Sequence, residues 1–150
     1  SAFRTSDAFR VDEILLCGIS STPPSAEIHK SALGAEFSVA RRYFEQTAEA
    51  LKELKSKGYT LISIEQTENS ISLDSFLTGK ECLKSGSRYA IIFGNEVHGV
   101  SQSAVDMSDL TIEIPQYGTK HSLNVSVTIG IVLYTLSARE LIAMDSSSQR

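Results

Sequence analysis

The sequence lacks several features that would assign it at once to a broad class of protein. None of its apolar runs reaches the length of about 18 residues that a helix needs to cross a bilayer, and no secretory signal peptide is visible. We therefore expect a cytosolic location. Cysteine is scarce, with only Cys17 and Cys82. In a cytosolic chain such residues are more often buried small hydrophobes than partners in a disulfide.

Basic charge and the common metal and nucleotide motifs are scarce as well. The chain carries 14 Lys and Arg against 18 Asp and Glu, a net charge of −4, whereas proteins that bind RNA usually show a basic surface. The composition therefore neither supports nor excludes an RNA partner. No GxGxxG follows the first predicted strand, which counts against a nucleotide-dependent oxidoreductase. His98 and His121, even with Glu96, lack the HExxH or CxxC spacing of a metal site.

What remains is the pattern of one globular α/β domain over residues 1–150. A hydrophobic content of 41% in a chain of this length is enough to bury a core. Short β-branched runs predict strands, and helical patterns separate them, so we expect a mainly parallel sheet with helices on both faces. A polar tail is expected over residues 145–150. The predicted strands are Val11–Gly18, Thr60–Glu65, Tyr89–Phe93 and Leu110–Ile114.

Three segments between and after these strands carry other patterns. Arg42–Lys57 has apolar residues at helical spacing and Gly58 just past its end, which predicts a helix with solvated charges on its outer face. Ser101–Met107 predicts a short helix. Ala26–Ser38 is ambiguous, and a short helix followed by an irregular passage around Gly34 is the expectation there.

The last predicted helix, about Ser122 to Ala143, is apolar on two sides and so needs cover on two sides. One side can pack on the sheet, and a second subunit would cover the other; burial of both in a larger core is the alternative. Gly130 costs about 1 kcal/mol of helix propensity and would suit close approach of another backbone. One stripe contains Val125, Ile129, Val132, Leu133 and Leu136, and the other contains Val127, Ile131, Tyr134 and Ala138.

Polar residues follow directly after two of the predicted strands. Gly94 ends the first of these strands and Pro115 ends the second. In an open α/β sheet, ligands bind just beyond the carboxyl ends of the strands. The segments Gly94–Gly99 and Pro115–Asn124 are therefore predicted to be ligand loops.

Three motifs in the chain resemble those of a known family. FRTSDAF (Phe3–Phe9), FGNEVHG (Phe93–Gly99) and IPQYGTKHSLNVSV (Ile114–Val127) are similar, in this order, to the signature motifs of the SpoU (TrmH-like) family of SPOUT-class RNA ribose 2′-O-methyltransferases. The resemblance implies S-adenosylmethionine (AdoMet) as cofactor, tRNA or rRNA as substrate, a homodimer packed through the last helix, and a C-terminal deep trefoil knot. An asparagine-containing run that precedes the first motif in the family is absent, so the N-terminus is expected to be incomplete.

The resemblance also assigns cofactor-binding positions, namely Gly94, Ile114, Leu123 and Ile64. A glycine lets a cofactor approach the backbone closely. Ile114 and Leu123 could wall an adenine ring with apolar surface while their backbone groups bond its edge. Without the motifs, these two residues would be interpreted as ordinary core.

Catalytic positions are assigned by the same resemblance to Arg4, Asn124, Glu96 and Ser122. A guanidinium with a pKa above about 12 is a poor proton acceptor, whereas its fork suits a phosphate. We therefore assign Arg4 to substrate positioning and charge stabilisation and leave the proton acceptor open.

Structural alternatives exist for three of these residues. Arg4 could form a surface ion pair with Asp7, Ser122 could cap the last helix, and Glu96 could accept hydrogen bonds from loop N–H groups. An alternative function is a non-catalytic RNA-binding protein that retains the fold. The presence of all four catalytic-type residues favours an enzyme.

Overall fold

The structure, a computed structural model, describes residues 11, 13–18, 26–32, 40–78, 88–94, 99–118 and 123–148. Within these ranges, seven strands and four helices follow one another. The strands are β1 (Glu13–Cys17), β2 (Ala26–Ala32), β3 (Ala40–Phe44), β4 (Thr60–Ile64), β5 (Ile71–Ser72), β6 (Arg88–Gly94) and β7 (Leu110–Glu113). The helices are α1 (Thr47–Ser56), α2 (Leu73–Thr78), α3 (Gln102–Met107) and α4 (Val125–Ser148).

The seven described strands form one sheet in the order β3-β1-β2-β6-β4-β7-β5. Strand β2 is antiparallel to both of its neighbours, and every other described pairing is parallel. Six strands therefore run in one direction, which confirms the prediction of a mainly parallel sheet. Their carboxyl ends lie at the same edge.

Helices cover both faces of the sheet, as predicted. Alternate residues of a strand face opposite sides, and in β6 the side chains of Ile91 and Phe93 join a core beneath α2 and α4. Ala90 and Ile92 point the other way and join a core beneath α1 and α3. In the described ranges, each helix is too short or too polar to span a bilayer.

Helix α4 buries one of its two predicted apolar stripes and exposes the other. The buried stripe packs on the sheet through Ile129, Val132, Leu133 and Leu136. The exposed stripe consists of Val127, Ile131 and Tyr134, which are 50%, 37% and 63% exposed; the side chain of Ala138, the fourth predicted member, lies outside the described part of the structure. The helix also continues to Ser148, so the prediction that it ends near Ala143 was too short, and residues 145–148 of the predicted tail are helical.

Residues 26–32 form a strand, so the expectation of a short helix there was wrong. Strand β2 lies in the middle of the sheet and pairs with β1 on one side and with β6 on the other. Ile28 faces the core beneath α1 and α3, whereas His29 is buried beside Phe93 on the opposite face. A strand buried on both faces shows little alternation of polar and apolar residues, and its pairing overrides local propensity.

The predicted helix Arg42–Lys57 was also wrong in its first turn. Residues 42–44 belong to β3, which pairs with β1, and the helix begins only at Thr47. Leu51 and Leu54 face the core as the helical spacing predicted. The backbone of this strand pairs with β1 over its full length, and from it Arg42 reaches two carboxylates.

Those contacts form a charged cluster of Glu13, Lys30, Arg42, Glu53 and Lys57. Lys30 Nζ lies 2.6 Å from Glu13, which Arg42 also contacts. The other side of the Arg42 guanidinium binds the Glu53 carboxylate at 3.1 and 2.5 Å, and Lys57 lies 3.6 Å from Glu53. Burial alone would raise the pKa of Glu13, but hydrogen bonds from Lys30 and Arg42 outweigh it and leave this pKa lowered. The cluster therefore ties β1, β2, β3 and α1 together.

The described cysteine has the environment that the composition predicted. Cys17 is a free, buried thiol, and burial raises its pKa to about 11. It is therefore unreactive at neutral pH. Cys82 lies outside the described residues.

Candidate functional site

Three of the four predicted cofactor positions lie together at the end of neighbouring strands. Ile64 is the last residue of β4, Gly94 is the last of β6, and Ile114 directly follows β7. Register places Ile64 beside Phe93 on one side and beside Ile112 on the other. Ile64 and Ile114 are partly buried against the core beneath α4. We call this end of β6, β4 and β7 the carboxyl edge.

Gly94 is required at the carboxyl edge because another segment of main chain passes directly against it. A Cβ atom at position 94 would overlap the carbonyl group of Gly99 and the nitrogen of Val100. Main-chain atoms cannot move aside as a flexible side chain can. The sequence predicted close approach of a cofactor to this glycine, which stays a prediction; in the structure the group against it is the backbone of residues 99 and 100.

Glu65, which directly follows β4, holds that backbone from the other side. Its Oε2 atom accepts a hydrogen bond of 2.8 Å from Val100 N–H, and its Oε1 atom accepts one of 3.0 Å from Gln66 N–H. Its own N–H donates to Ile112 O at 3.1 Å. The sequence analysis treated Glu65 only as the end of a strand. A carboxylate placed directly after a strand at this edge was the signal that could have identified it.

The turn after Glu65 is closed by a hydroxyl group and a second carboxylate. Ser70 Oγ donates to Thr67 O at 2.8 Å and accepts from Thr67 N–H at 3.2 Å. The same hydroxyl lies 3.1 Å from Glu113 Oε1, at the end of β7. The loop that follows β4 is therefore fixed to the end of β7.

Leu123 and Asn124 precede α4, and Asn124 caps the helix. Its Oδ1 atom accepts from Ser126 N–H at 2.8 Å, and its carbonyl oxygen accepts from Thr128 N–H at 3.0 Å. An asparagine is among the best N-cap residues. Asn124 thus performs the capping role that the sequence analysis had considered for Ser122. Leu123 and Asn124 are both exposed.

Tyr117 lies in the loop after β7 and was not singled out from the sequence. Its side chain is 93% exposed, and it is followed by Gly118, where an added Cβ would meet no described heavy atom within 4 Å. The loop therefore presents an aromatic ring to solvent next to the carboxyl edge.

The other predicted site residues lie outside the described residues. These are Arg4, Glu96 and Ser122 among the catalytic positions, together with His98 and His121. The side chains that the structure does describe include no group of three or more His, Cys, Asp or Glu arranged to hold a metal ion.

The chain matches the sequence profile of the SpoU rRNA Methylase family over residues 1–134. It is 36% identical over 90 residues to a tRNA (guanosine(18)-2′-O)-methyltransferase of Borreliella burgdorferi, which covers 60% of this chain and 38% of the relative. It is 32% identical over 111 residues to an uncharacterized tRNA/rRNA methyltransferase of Archaeoglobus fulgidus, covering 74% of this chain and 46% of the relative. The chain thus spans less than half the length of either relative.

Solved structures share the fold at low sequence identity. The TrmH/SpoU tRNA modifying enzyme of A. aeolicus superposes with a TM-score of 0.69 and 24% identity, over 95% of this chain and 68% of that one. The AviRb SpoU methyltransferase of Streptomyces viridochromogenes, in complex with AdoMet, gives a TM-score of 0.66 and 16% identity, over 93% and 54% of the two chains. The α/β fold of this chain is therefore that of known SpoU methyltransferases.

Proposed function

This chain belongs to the SpoU rRNA Methylase family, and we propose that it transfers a methyl group from AdoMet to a ribose 2′-hydroxyl of tRNA or rRNA. The observation that carries the proposal is the carboxyl edge, where Ile64, Gly94 and Ile114 come together on adjacent parallel strands. Ligands of open α/β sheets bind at such an edge. The names of the relatives make tRNA the first substrate to test.

The residues at the carboxyl edge fit AdoMet by their chemistry. Ile64 and Ile114 are partly buried and apolar, as suits one wall of a pocket for an adenine ring, and Leu123 would add a second apolar wall. The main chain around Gly94 and Ile114 would supply hydrogen bonds to the polar groups. When bound, AdoMet would supply an electrophilic methyl group on a sulfonium.

The chain's own part in the reaction is to hold the RNA and stabilise charge. Arg4 would bind a backbone phosphate, because its planar fork suits phosphate oxygens. Asn124, Ser122 and Glu96 would complete the catalytic site from the two predicted ligand loops. In this proposal Asn124 combines the capping of α4 with a place beside the cofactor, so its substitution should disturb both.

The test is a pair of measurements on the purified protein. Calorimetry should show binding of AdoMet, and radiolabelled AdoMet should methylate tRNA or rRNA taken from a strain that lacks the protein. Arg4→Ala should remove methyl transfer while cofactor affinity stays nearly unchanged, and Arg4→Lys should rescue little.

Two results would count against the enzyme. Tight NADH binding without AdoMet binding would overturn the cofactor assignment. RNA binding without methyl transfer to any RNA would favour the non-catalytic alternative.

A third result concerns Arg4 alone. Wild-type activity in Arg4→Ala would leave that residue as a surface ion-pair partner.

A homodimer that packs through α4 is part of the same proposal. The exposed stripe places two apolar side chains, Val127 and Ile131, on the face away from the sheet. An added Cβ at Gly130, on the same face, would meet no described heavy atom within 4 Å, so a second backbone could approach there. Sedimentation at micromolar concentration should give twice the mass of the chain, and a well-folded monomer would contradict the dimer.

A deep trefoil knot and a cytosolic location complete the proposal. The knot would involve the chain from β6 through α4; its support is the membership of the family and the return of α4 onto the face of the sheet that contains Ile91. A crystal structure that traces residues 88–148 without passage through a loop would refute it. Fractionation of cells that express the protein would test the location.

A further inference from the structure

Glu65 joins three strands at the carboxyl edge, although no motif points to it. Its backbone is fixed to β7 by the hydrogen bond to Ile112 O, and its side chain reaches Val100, beyond β6. Glu65 therefore fixes the main chain that follows β6 in position relative to β4 and β7.

Gly99 leaves free the space that the Glu65 carboxylate occupies. Gly99 has a φ of 65°, a left-handed conformation that favours glycine. A Cβ atom at this position would overlap Glu65 Oε2. The carboxylate therefore occupies the place that a side chain at position 99 would need.

The same main chain meets Gly94 on its far side. The carbonyl group of Gly99 and the nitrogen of Val100 fill the space that a Cβ at Gly94 would take. The backbone of residues 99 and 100 thus lies between the Glu65 carboxylate and Gly94 and contacts both. If the carboxylate moved, this backbone would no longer be held against Gly94.

We propose that Glu65 is a positioning residue of the AdoMet site, whose carboxylate holds the Gly99–Val100 backbone against Gly94 so that the main chain at the end of β6 is preformed for the cofactor. The inference rests on the proposed function. Glu65 acts through Val100 and needs no contact with AdoMet. Preformed main-chain groups bind more tightly because less ordering is required on binding.

Reach and charge can be separated by three substitutions at this position. Glu65→Gln keeps the length of the side chain and an oxygen for Val100 N–H but loses the charge and the second acceptor. Glu65→Asp keeps the charge but is one methylene shorter, so it should not reach Val100. Glu65→Ala loses both. Glu68→Ala is the matched control, because Glu68 is an exposed carboxylate in the same loop.

Calorimetric titration with AdoMet and with S-adenosylhomocysteine should rank these variants. We expect Glu65→Ala and Glu65→Asp to lose about tenfold in affinity, as for a lost hydrogen bond to a charged group. Glu65→Gln should stay within about threefold of the wild type, and Glu68→Ala should match it. If Glu65→Ala does not fold, the contrast between Glu65→Asp and Glu65→Gln still decides.

The possible failures can be distinguished. A wild-type protein that binds neither compound would defeat the proposed function, and this inference with it. If the wild type binds, and Glu65→Asp and Glu65→Ala bind with the same affinity as the wild type, the positioning role alone is overturned. That role is also overturned if Glu65→Asp binds better than Glu65→Gln, since charge would then matter more than reach. Lower melting temperatures with unchanged affinity would make Glu65 a purely structural residue.

Discussion

The two halves of the sheet are held together in different ways. In the half formed by β6, β4, β7 and β5, main chain lies against main chain at Gly94, and the Glu65 carboxylate accepts hydrogen bonds from two backbone N–H groups. In the half formed by β3, β1 and β2, side chains of opposite charge meet around Glu13. The first arrangement leaves backbone groups at an edge where a ligand can bind. In the second arrangement, the charged side chains bind one another.

This difference explains why the proposed site lies on one side of the molecule only. In the charged cluster the carboxylates and the cations bind one another, so the removal of Glu13 would leave two cations without the carboxylate that they share. The carboxyl edge depends on close approach instead. Each half should therefore respond to a different kind of substitution.

The largest effect is expected from Gly94→Ala. One methyl group would overlap the main chain of residues 99 and 100, which has no rotamer with which to move aside. We expect a loss of about 4 kcal/mol of unfolding free energy, measured by urea denaturation, and no measurable binding of AdoMet. Gly94→Trp should cause losses of stability and of AdoMet binding that are at least as large.

Gly118→Ala is the control for this substitution. It adds the same methyl group to a loop of the same edge, where no described heavy atom lies within 4 Å. Its stability should stay near that of the wild type. Equal losses of unfolding free energy in both variants would mean that the close approach at Gly94 is not what stabilises the carboxyl edge.

Glu13→Ala should break the other half while sparing the site. It leaves Lys30 and Arg42, whose side chains are 15% and 38% exposed, without their shared carboxylate, and the loss of hydrogen bonds to a charged group costs about 2 kcal/mol. Urea denaturation should show this loss, whereas AdoMet affinity should remain within error of the wild type. Glu49→Ala, at an exposed position of α1, serves as control and should change stability by less than about 0.5 kcal/mol. A matching loss of AdoMet affinity in Glu13→Ala would contradict the separation of the two halves.

The half with β2 should also lose stability in mild acid because of His29. Burial lowers the pKa of His29 from 6.5 to about 4, so the unfolded chain takes up a proton first as the pH falls. Unfolding free energy should therefore fall by about 2 kcal/mol between pH 6.5 and pH 4. The lowered pKa of Glu13 has the same sign, and its contribution is lost only at lower pH.

His29→Gln keeps a polar side chain but does not titrate. We expect the unfolding free energy from urea denaturation to change less with pH for His29→Gln than for the wild type, whatever the stability of the variant at neutral pH. If the unfolding free energies of the two proteins change equally with pH, His29 is not the group that titrates.

The smallest change in stability is expected from Ile131→Glu, on the exposed stripe of α4. Exposed positions change unfolding free energy by less than about 0.5 kcal/mol, so the protein should fold but sediment as a monomer. Ile129→Glu, two residues earlier and 1% exposed, should instead unfold the protein by burying an unpaired charge. An Ile131→Glu variant that stays dimeric would place the interface elsewhere.

The sequence predicted the parallel half better than the other half, for physical reasons. Strands β4, β6 and β7 are short β-branched runs that end at polar residues or breakers, so their pattern and their edge could be predicted together. Strand β2 pairs on both sides and is buried on both faces, so its sequence has no alternation to recognise. The strand Ala40–Phe44 was hidden because Phe44 continues the helical spacing of α1.

The candidate site was predictable only in part. Positions such as Gly94 and Ile114 carry a local signal, since breakers and strand ends are visible in the sequence. The contact between Glu65 and Val100 joins residues 35 apart, and no local pattern reports it. Capping of the last helix was considered for Ser122 as one of two alternatives, whereas Asn124 caps it, because several polar residues precede the helix.

The most direct test of the central claim is a map of amide chemical shifts during titration of the isotope-labelled protein with AdoMet. We predict that the largest changes fall on Glu65, Gly94, Val100 and Leu123 and on the loop after Ile114, whereas the amides of β1 and β3 stay unchanged. Changes centred on the charged cluster, or saturating AdoMet with no change at the carboxyl edge, would contradict it.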